Sequence, residues 1–189
     1  ARITTRTRAV MYVGVGGNPG QLEEVRTLCK RKGLKLILDA AHMAGTKVKD
    51  RHVGHEADVT IFSFQAVKNL PTADGGMICC QDPEFDAKAR KLAWLGIDKD
   101  TYLRSSMEGD YKWKYDVPET GFKYHGNSIM ASLGLVALKY LDEDNERRRE
   151  IASRYRRELV GYVEVVRTPP DVVSSNHLLQ VKIPHRDEI

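Results

Sequence analysis

The segment from Leu36 to Cys80, LILDAAHMAGTKVKDRHVGHEADVTIFSFQAVKNLPTADGGMICC, constrains this chain more than any other part of it. It holds two short apolar runs, Leu36–Leu38 and Val59–Phe62. Each stops abruptly at polar residues: Asp39 with His42 after the first, Ser63 with Lys68 after the second. Such runs suit buried parallel strands, whose C-terminal ends open into the crevice where an α/β sheet places its chemistry. The preceding sequence fits the same plan. Thr7–Val13 reads as a strand ending in Gly14-Val15-Gly16-Gly17, and Asn18-Pro19 then opens an amphipathic helix through Lys32. Pro19 suits a first helical position, Leu22, Val25, Leu28 and Cys29 share one face, and Gly33 is the stop. A strand over 34–38 follows at once, so the chain opens with a β-α-β unit whose expected crossover is right-handed. The turn GVGGNPG lacks the Gly-x-Gly-x-x-Gly spacing of a dinucleotide loop, and a tight turn is the preferred reading.

A carboxylate at one strand end and an amine just past another suit pyridoxal phosphate (PLP). Its aldehyde condenses with a lysine amine, its ring nitrogen needs a carboxylate partner, and its phosphate needs hydroxyl and backbone N–H donors. Lys68, Asp39 and Ser63 supply these three parts. A lysine after an apolar strand is ordinarily a surface residue, but the stretch from Asn69 to Gly76 favours an irregular path that can hold the amine inward. His42 admits two readings, a cap at a helix end or an imidazole against the cofactor ring or its phenolic oxygen. His52 and His55 fall in a polar turn and read as surface residues.

Downstream, Met77–Cys80 is a further strand, and Asp82 caps a helix with Pro83 in its first position that runs to Leu95, burying Phe85, Ala89, Leu92 and Ala93. The stretch from Gly96 to Pro118, with Tyr102, Tyr111, Trp113 and Tyr115, is either a surface excursion or a substrate-side loop. Asn127 is a credible cap for a helix over 128–140. Asp142 or Asp144 then begins a separate helix to about Leu159, and strands over 162–167 and 178–183 flank a Pro169-Pro170 turn. The expected fold is α/β, with a central, mostly parallel sheet flanked by helices over residues 1–126. Linking helices and an incomplete small α+β subdomain occupy 127–189.

Composition excludes several classes. With 41% hydrophobic and 30% charged residues and no run of membrane length, the chain reads as a soluble protein with no membrane partner. No leader pattern opens it, so cytoplasm is the expected compartment. The net charge of +4 arises largely from Arg147–Arg149, Arg154, Arg156 and Arg157 interleaved with Glu, the pattern of a solvated helix face rather than a nucleic-acid surface. Cys29, Cys79 and Cys80 read as free, buried thiols, and no ligand spacing suggests a metal.

The order DAAH, GHEAD, FSFQAVKNL and DGGMI, continued by GFKYHGNSIMASLGLVALKYLDEDNERRREIASRY, resembles the DegT/DnrJ/StrS-type sugar aminotransferases from about Thr5 to His177. These are PLP-dependent transferases of fold type I acting on nucleotide-linked keto sugars. The resemblance implies a Schiff base on Lys68, which also serves as general base and acid, Asp39 on the pyridinium, and His42 and Ser63 as further cofactor ligands. It also implies glutamate as amino donor, a role in polysaccharide or antibiotic sugar biosynthesis, and a homodimer with active sites at the interface. At Lys123 the family usually has an asparagine that reaches the phosphate of the neighbouring subunit's cofactor. Lysine could serve there as a point charge, and His125 stands where arginine is usual. By the same resemblance the chain is expected to be partial. The alternative function is then a catalytically incomplete fragment or a non-catalytic module for association. A cysteine-desulfurase-like enzyme is disfavoured, since no exposed-loop cysteine follows Lys68.

Overall fold

The computed structural model describes residues 2–98 and 115–188. Most of the aromatic loop singled out above, with Tyr102, Tyr111 and Trp113, lies outside the described residues. The elements in chain order are β1 (Ala9–Val13), α1 (Leu22–Lys32), β2 (Lys35–Asp39), β3 (Lys47–Val48), β4 (Arg51–His52), β5 (Val59–Ser63), β6 (Gly76–Cys80), α2 (Pro83–Ala93), α3 (Ser128–Glu158), β7 (Glu164–Val165), β8 (Val172–Val173) and β9 (Val181–Lys182). They form two compact units, one from residues up to 79 together with those from 128 onward, the other from residues 80–127.

The first unit is built on a sheet of order β1-β2-β5-β6. β1 with β2 and β2 with β5 are parallel, with Val13 opposite Asp39 and Asp39 opposite Ile61. The C-terminal ends of three successive strands therefore lie at one edge. Leu36 and Leu38 point into a core shared with Leu22, Cys29, Ala40, Met43, Val53 and Phe62. β1 alternates instead, leaving Met11 and Val13 exposed.

α1 begins three residues later than the proline suggests. The Tyr12 hydroxyl donates to Pro19 O and accepts from Gln21 N–H, both at 2.9 Å, and Asn18 Oδ1 accepts from Gly20 N–H. These bonds hold residues 18–21 as a turn, and the helix starts beyond it. It stops, as expected, at Gly33 in the left-handed conformation, φ 64°.

α3 is one helix of 31 residues, with no break at Asp142. Residues 140–145 contain neither Gly nor Pro. Asn145 is also drawn inward, donating to Ala44 O, so the chain stays helical where a cap was expected. Its basic residues pair along the surface, Arg147 with Glu150 and Arg154 with Glu158. Its first half leaves Ile129, Leu135, Val136 and Leu138 exposed. The C-terminal strands are shorter than expected and divided: β7 pairs with β9, whereas β8 joins β3 and β4 in the loop region after β2.

In the second unit Asp82 caps α2 as expected, its Oδ1 accepting from Glu84 and Phe85 N–H at 3.0 and 3.2 Å. Ala89, Leu92 and Ala93 are half-buried, but Phe85 is exposed. Trp94 pairs with Lys123 through the backbone, and its ring meets the His125 ring edge-on at 3.9 Å. No helix among the described residues is long and apolar enough to cross a membrane.

Candidate active site

The site is assembled from the loops that leave the C-terminal ends of β1, β2 and β5. Asp39 is the last residue of β2, and its Oδ1 accepts from Ala41 N–H at 3.0 Å. This local turn orients the carboxylate and leaves Oδ2 for another donor. Three residues on, His42 is half-buried and its Nδ1 accepts from Gly16 N–H at 3.3 Å. The glycine turn after β1 thus grips the imidazole of the next loop. Because Nδ1 is the acceptor, the uncharged ring carries its proton on Nε2.

Ser63 ends β5, with its hydroxyl facing Gln65 N–H at 3.4 Å. The chain then folds into a turn closed by Lys68 N–H to Gln65 O, 2.8 Å, which leaves Lys68 half-buried. His42 is held below its ordinary titration range first by burial and then by the Lys68 ammonium, while the Asp39 carboxylate opposes the shift. One imidazole therefore senses both the amine and the carboxylate, which places all three in one neighbourhood.

A second imidazole stands beside the first. The His177 and His42 rings lie 4.5 Å apart. His177 is pushed down to about 4 by burial, then by His42, Lys68 and Arg148. Beneath it lies a group of buried polar side chains, Thr46, Asn69, Asn145, Ser174 and Ser175. Thr46 Oγ1 donates to Gly17 O and Ser175 Oγ donates to His42 O, both at 3.1 Å, and Ser174 Oγ donates to Gly17 O at 2.9 Å. Gly17 has φ 92°, and a Cβ there would lie 2.6 Å from Asn176 N and under 3 Å from both serine hydroxyls.

Of the residues expected from sequence, Asp39, His42, Ser63 and Lys68 fall at this edge of the first unit. Lys123 belongs to the second unit, where it is exposed. His55 is exposed, as expected, but His52 is half-buried against Phe62 and takes the Gly54 N–H on Nδ1 at 3.3 Å. Cys29 is buried, whereas Cys79 and Cys80 are half-buried, and none of the three is in a disulfide among the described residues. Sequence reasoning missed His177, Asn69 and Asn145. The one available signal was Asn145 itself, an uncharged amide inside a run of charged residues.

The donor set has the chemistry of a PLP site: an amine for the aldehyde, a carboxylate at a strand end, a hydroxyl, and an uncharged imidazole on which both the amine and the carboxylate bear. A parallel α/β sheet carrying these groups at the C-terminal ends of adjacent strands fits the class of PLP-dependent enzymes. Residues 1–189 match the DegT/DnrJ/EryC1/StrS aminotransferase family, and the chain belongs to that family. It is 37% identical over 185 residues to dTDP-4-dehydro-2,3,6-trideoxy-D-glucose 4-aminotransferase of Saccharopolyspora spinosa, a match covering 96% of this chain and 48% of that protein. The crystal structure of the aminotransferase TlmJ from Streptoalloteichus hindustanus aligns with TM-score 0.87 at 35% identity, covering 99% of this chain and 49% of that one. The PMP form of the putative sugar aminotransferase Spr1654 from Streptococcus pneumoniae aligns with TM-score 0.86 at 28% identity, covering 97% and 51%. The chain spans about half the length of the relatives it matches.

Proposed function

We propose that this chain carries the cofactor-holding part of a PLP-dependent aminotransferase that moves an amino group from glutamate to a nucleotide-linked keto sugar. The observation that carries this reading is that Asp39 and Ser63 end adjacent parallel strands, with His42 and Lys68 in the loops just beyond them and His42 influenced by both Lys68 and Asp39. Lys68 Nζ would hold the cofactor covalently, as a Schiff base, and Asp39 Oδ2 would pair with its ring nitrogen. The Ser63 hydroxyl would serve its phosphate, and His42 would lie beside the ring. When bound, the cofactor supplies an electron sink for the carbon that bears the amine.

The chain's own residues do the rest. Ala41 N–H holds the Asp39 carboxylate through Oδ1. His42, acceptor at Nδ1, presents Nε2–H as a donor. Lys68, whose backbone a turn ties to Gln65, would take a proton from the donor's carbon and return it one position along. The nucleotide-sugar substrate is supported by the likeness to the Saccharopolyspora spinosa enzyme, whose named substrate is a dTDP-linked sugar. In a homodimer, which the family resemblance favours, exposed Lys123 would offer a positive charge to the partner's cofactor phosphate.

The test is to mix the purified chain with pyridoxal phosphate, reduce with borohydride, and map the modified peptide. One stoichiometric adduct on Lys68, lost in Lys68→Ala, is expected. Scattered labelling, or a Lys68→Ala chain that labels as well as the parent, overturns the assignment.

A further inference from the structure

A chain of buried amides ends at His177, and backbone atoms fix its direction. Asn145 Nδ2 donates to Ala44 O at 3.0 Å, and a carbonyl can only accept, so Asn145 Oδ1 is left as an acceptor. That oxygen takes a hydrogen bond from Asn69 Nδ2 at 2.7 Å, and the same amide also donates to Ser175 O at 2.9 Å. Both Asn69 N–H groups are thereby committed. Its Oδ1 must accept, and the group facing it at 2.8 Å is His177 Nδ1. His177 therefore carries its proton on Nδ1, opposite to the tautomer that free imidazole favours in water and opposite to His42. Since Nδ1 points at buried Asn69, Nε2 leaves the far side of the ring, away from the buried amides.

We propose that Asn69, itself held by Asn145, is a positioning residue that fixes His177 as an uncharged Nδ1–H imidazole. This wall of the site then offers an acceptor at Nε2 and suits a hydroxyl or ammonium of the substrate rather than a phosphate or carboxylate. The groups that bear on His177 favour the uncharged ring: His42, Lys68 and Arg148 all disfavour a further positive charge, and so does burial. The tautomer follows from this chain's own hydrogen bonds; its use toward a substrate rests on the aminotransferase reading.

The test is nitrogen-15 NMR of the full chain labelled at histidine, at neutral pH. His177 is expected to show a protonated, pyrrole-like Nδ1 and an unprotonated, pyridine-like Nε2, with the reverse pattern at His42. Asn69→Leu removes the acceptor and should return His177 to the Nε2–H form while the His42 pattern persists. Asn69→Asp keeps the acceptor and adds charge, so it should retain Nδ1–H and move the His177 titration upward. Added inorganic phosphate should leave the His177 Nε2 signal pyridine-like. The proposal is overturned by an Nε2–H His177 in the parent chain, by an Asn69→Leu chain with unchanged His177 signals, or by phosphate converting His177 to the charged form. None of these outcomes depends on borohydride capture at Lys68, so the two readings fail separately.

Discussion

Replacing Asn145 tests whether the buried amides fix the loops that carry the site. Asn145 is 1% exposed and sits midway along α3, where its amide occupies the space a Cβ on Gly45 would need. Asn145→Leu preserves most of the volume but strips a partner from Ala44 O and from one N–H of Asn69. Each buried polar group left without a partner costs roughly 1–3 kcal/mol. Burying the leucine returns about 1–2 kcal/mol, for a net loss near 2–3 kcal/mol. For a chain of this size that lowers Tm by roughly 5–10 °C. Urea unfolding followed by circular dichroism should show the loss as a lower midpoint at unchanged slope. Asn145→Asp, equal in shape, separates hydrogen bonding from packing and should also be destabilised. Because Asn69 and Asn145 share a bond, the Asn69→Leu/Asn145→Leu double variant should lose less than the sum of the singles, by about 1 kcal/mol. An Asn145→Leu chain within about 0.5 kcal/mol of the parent, or strict additivity, would refute the reasoning.

Three further outcomes follow from the same geometry. Gly17→Ala forces a side chain into a positive-φ site crowded by Asn176 and the Ser174 and Ser175 hydroxyls. It should cost roughly 2 kcal/mol or more and speed proteolysis after residue 160; an unchanged cleavage pattern counts against the packing described. Asp39→Asn retains an oxygen for Ala41 N–H, so stability should hold, while loss of the charge should lower amination by roughly 10²–10³-fold. It should also shift the His42 titration downward, since Asp39 is what raises it; a His42 that does not move separates the two residues. Finally, His177 drops from an ordinary 6.5 to about 4 on folding, so the folded state resists its protonation. Between those values the unfolded chain binds the extra proton, and stability falls as pH drops through that window, with no contribution above it. Burial of His42 and His52 acts in the same direction. Urea midpoints should therefore be lower near pH 5 than near pH 7, and His177→Gln should narrow the gap; a midpoint that rises on acidification contradicts this.

What could be read from sequence was what local rules decide. β2, β5 and β6 lie within a residue or two of their apolar runs, and Asp82-Pro83 marks the start of α2 because a cap and its N–H partners are neighbours in the chain. Asp39, Ser63, His42 and Lys68 were visible for a similar reason, since Asp39 and Ser63 end their strands and His42 and Lys68 follow within a few residues. The start of α1 was not, because a phenol nine residues before Gln21 holds the preceding turn. The continuity of α3 was hidden by an Asp-Glu-Asp-Asn cluster that looks like a cap, although a cap requires the chain to enter from outside the helix. His177 and Asn145 meet Asn69 across 108 and 76 residues, and no spacing rule reaches that far.

That distance is also what gives the network its consequence. The loops at the C-terminal edge of the sheet do not pair all their own backbone groups, and a buried carbonyl without a partner is costly. Side chains from other segments supply the partners: Thr46 and Ser174 for Gly17 O, Ser175 for His42 O, Asn145 for Ala44 O, Asn69 for Ser175 O. Each loop is fixed by a residue of another, so loosening one loosens at least two. An apolar plug of equal volume would bury as much surface but leave those carbonyls unpaired and the loop paths undetermined. The network's main effect is therefore geometric, and losing one member costs more than the set contributes in net stability. Lys68 immediately precedes Asn69, so the path of the amine is set from α3 and from the segment around Ser175, far from it in sequence.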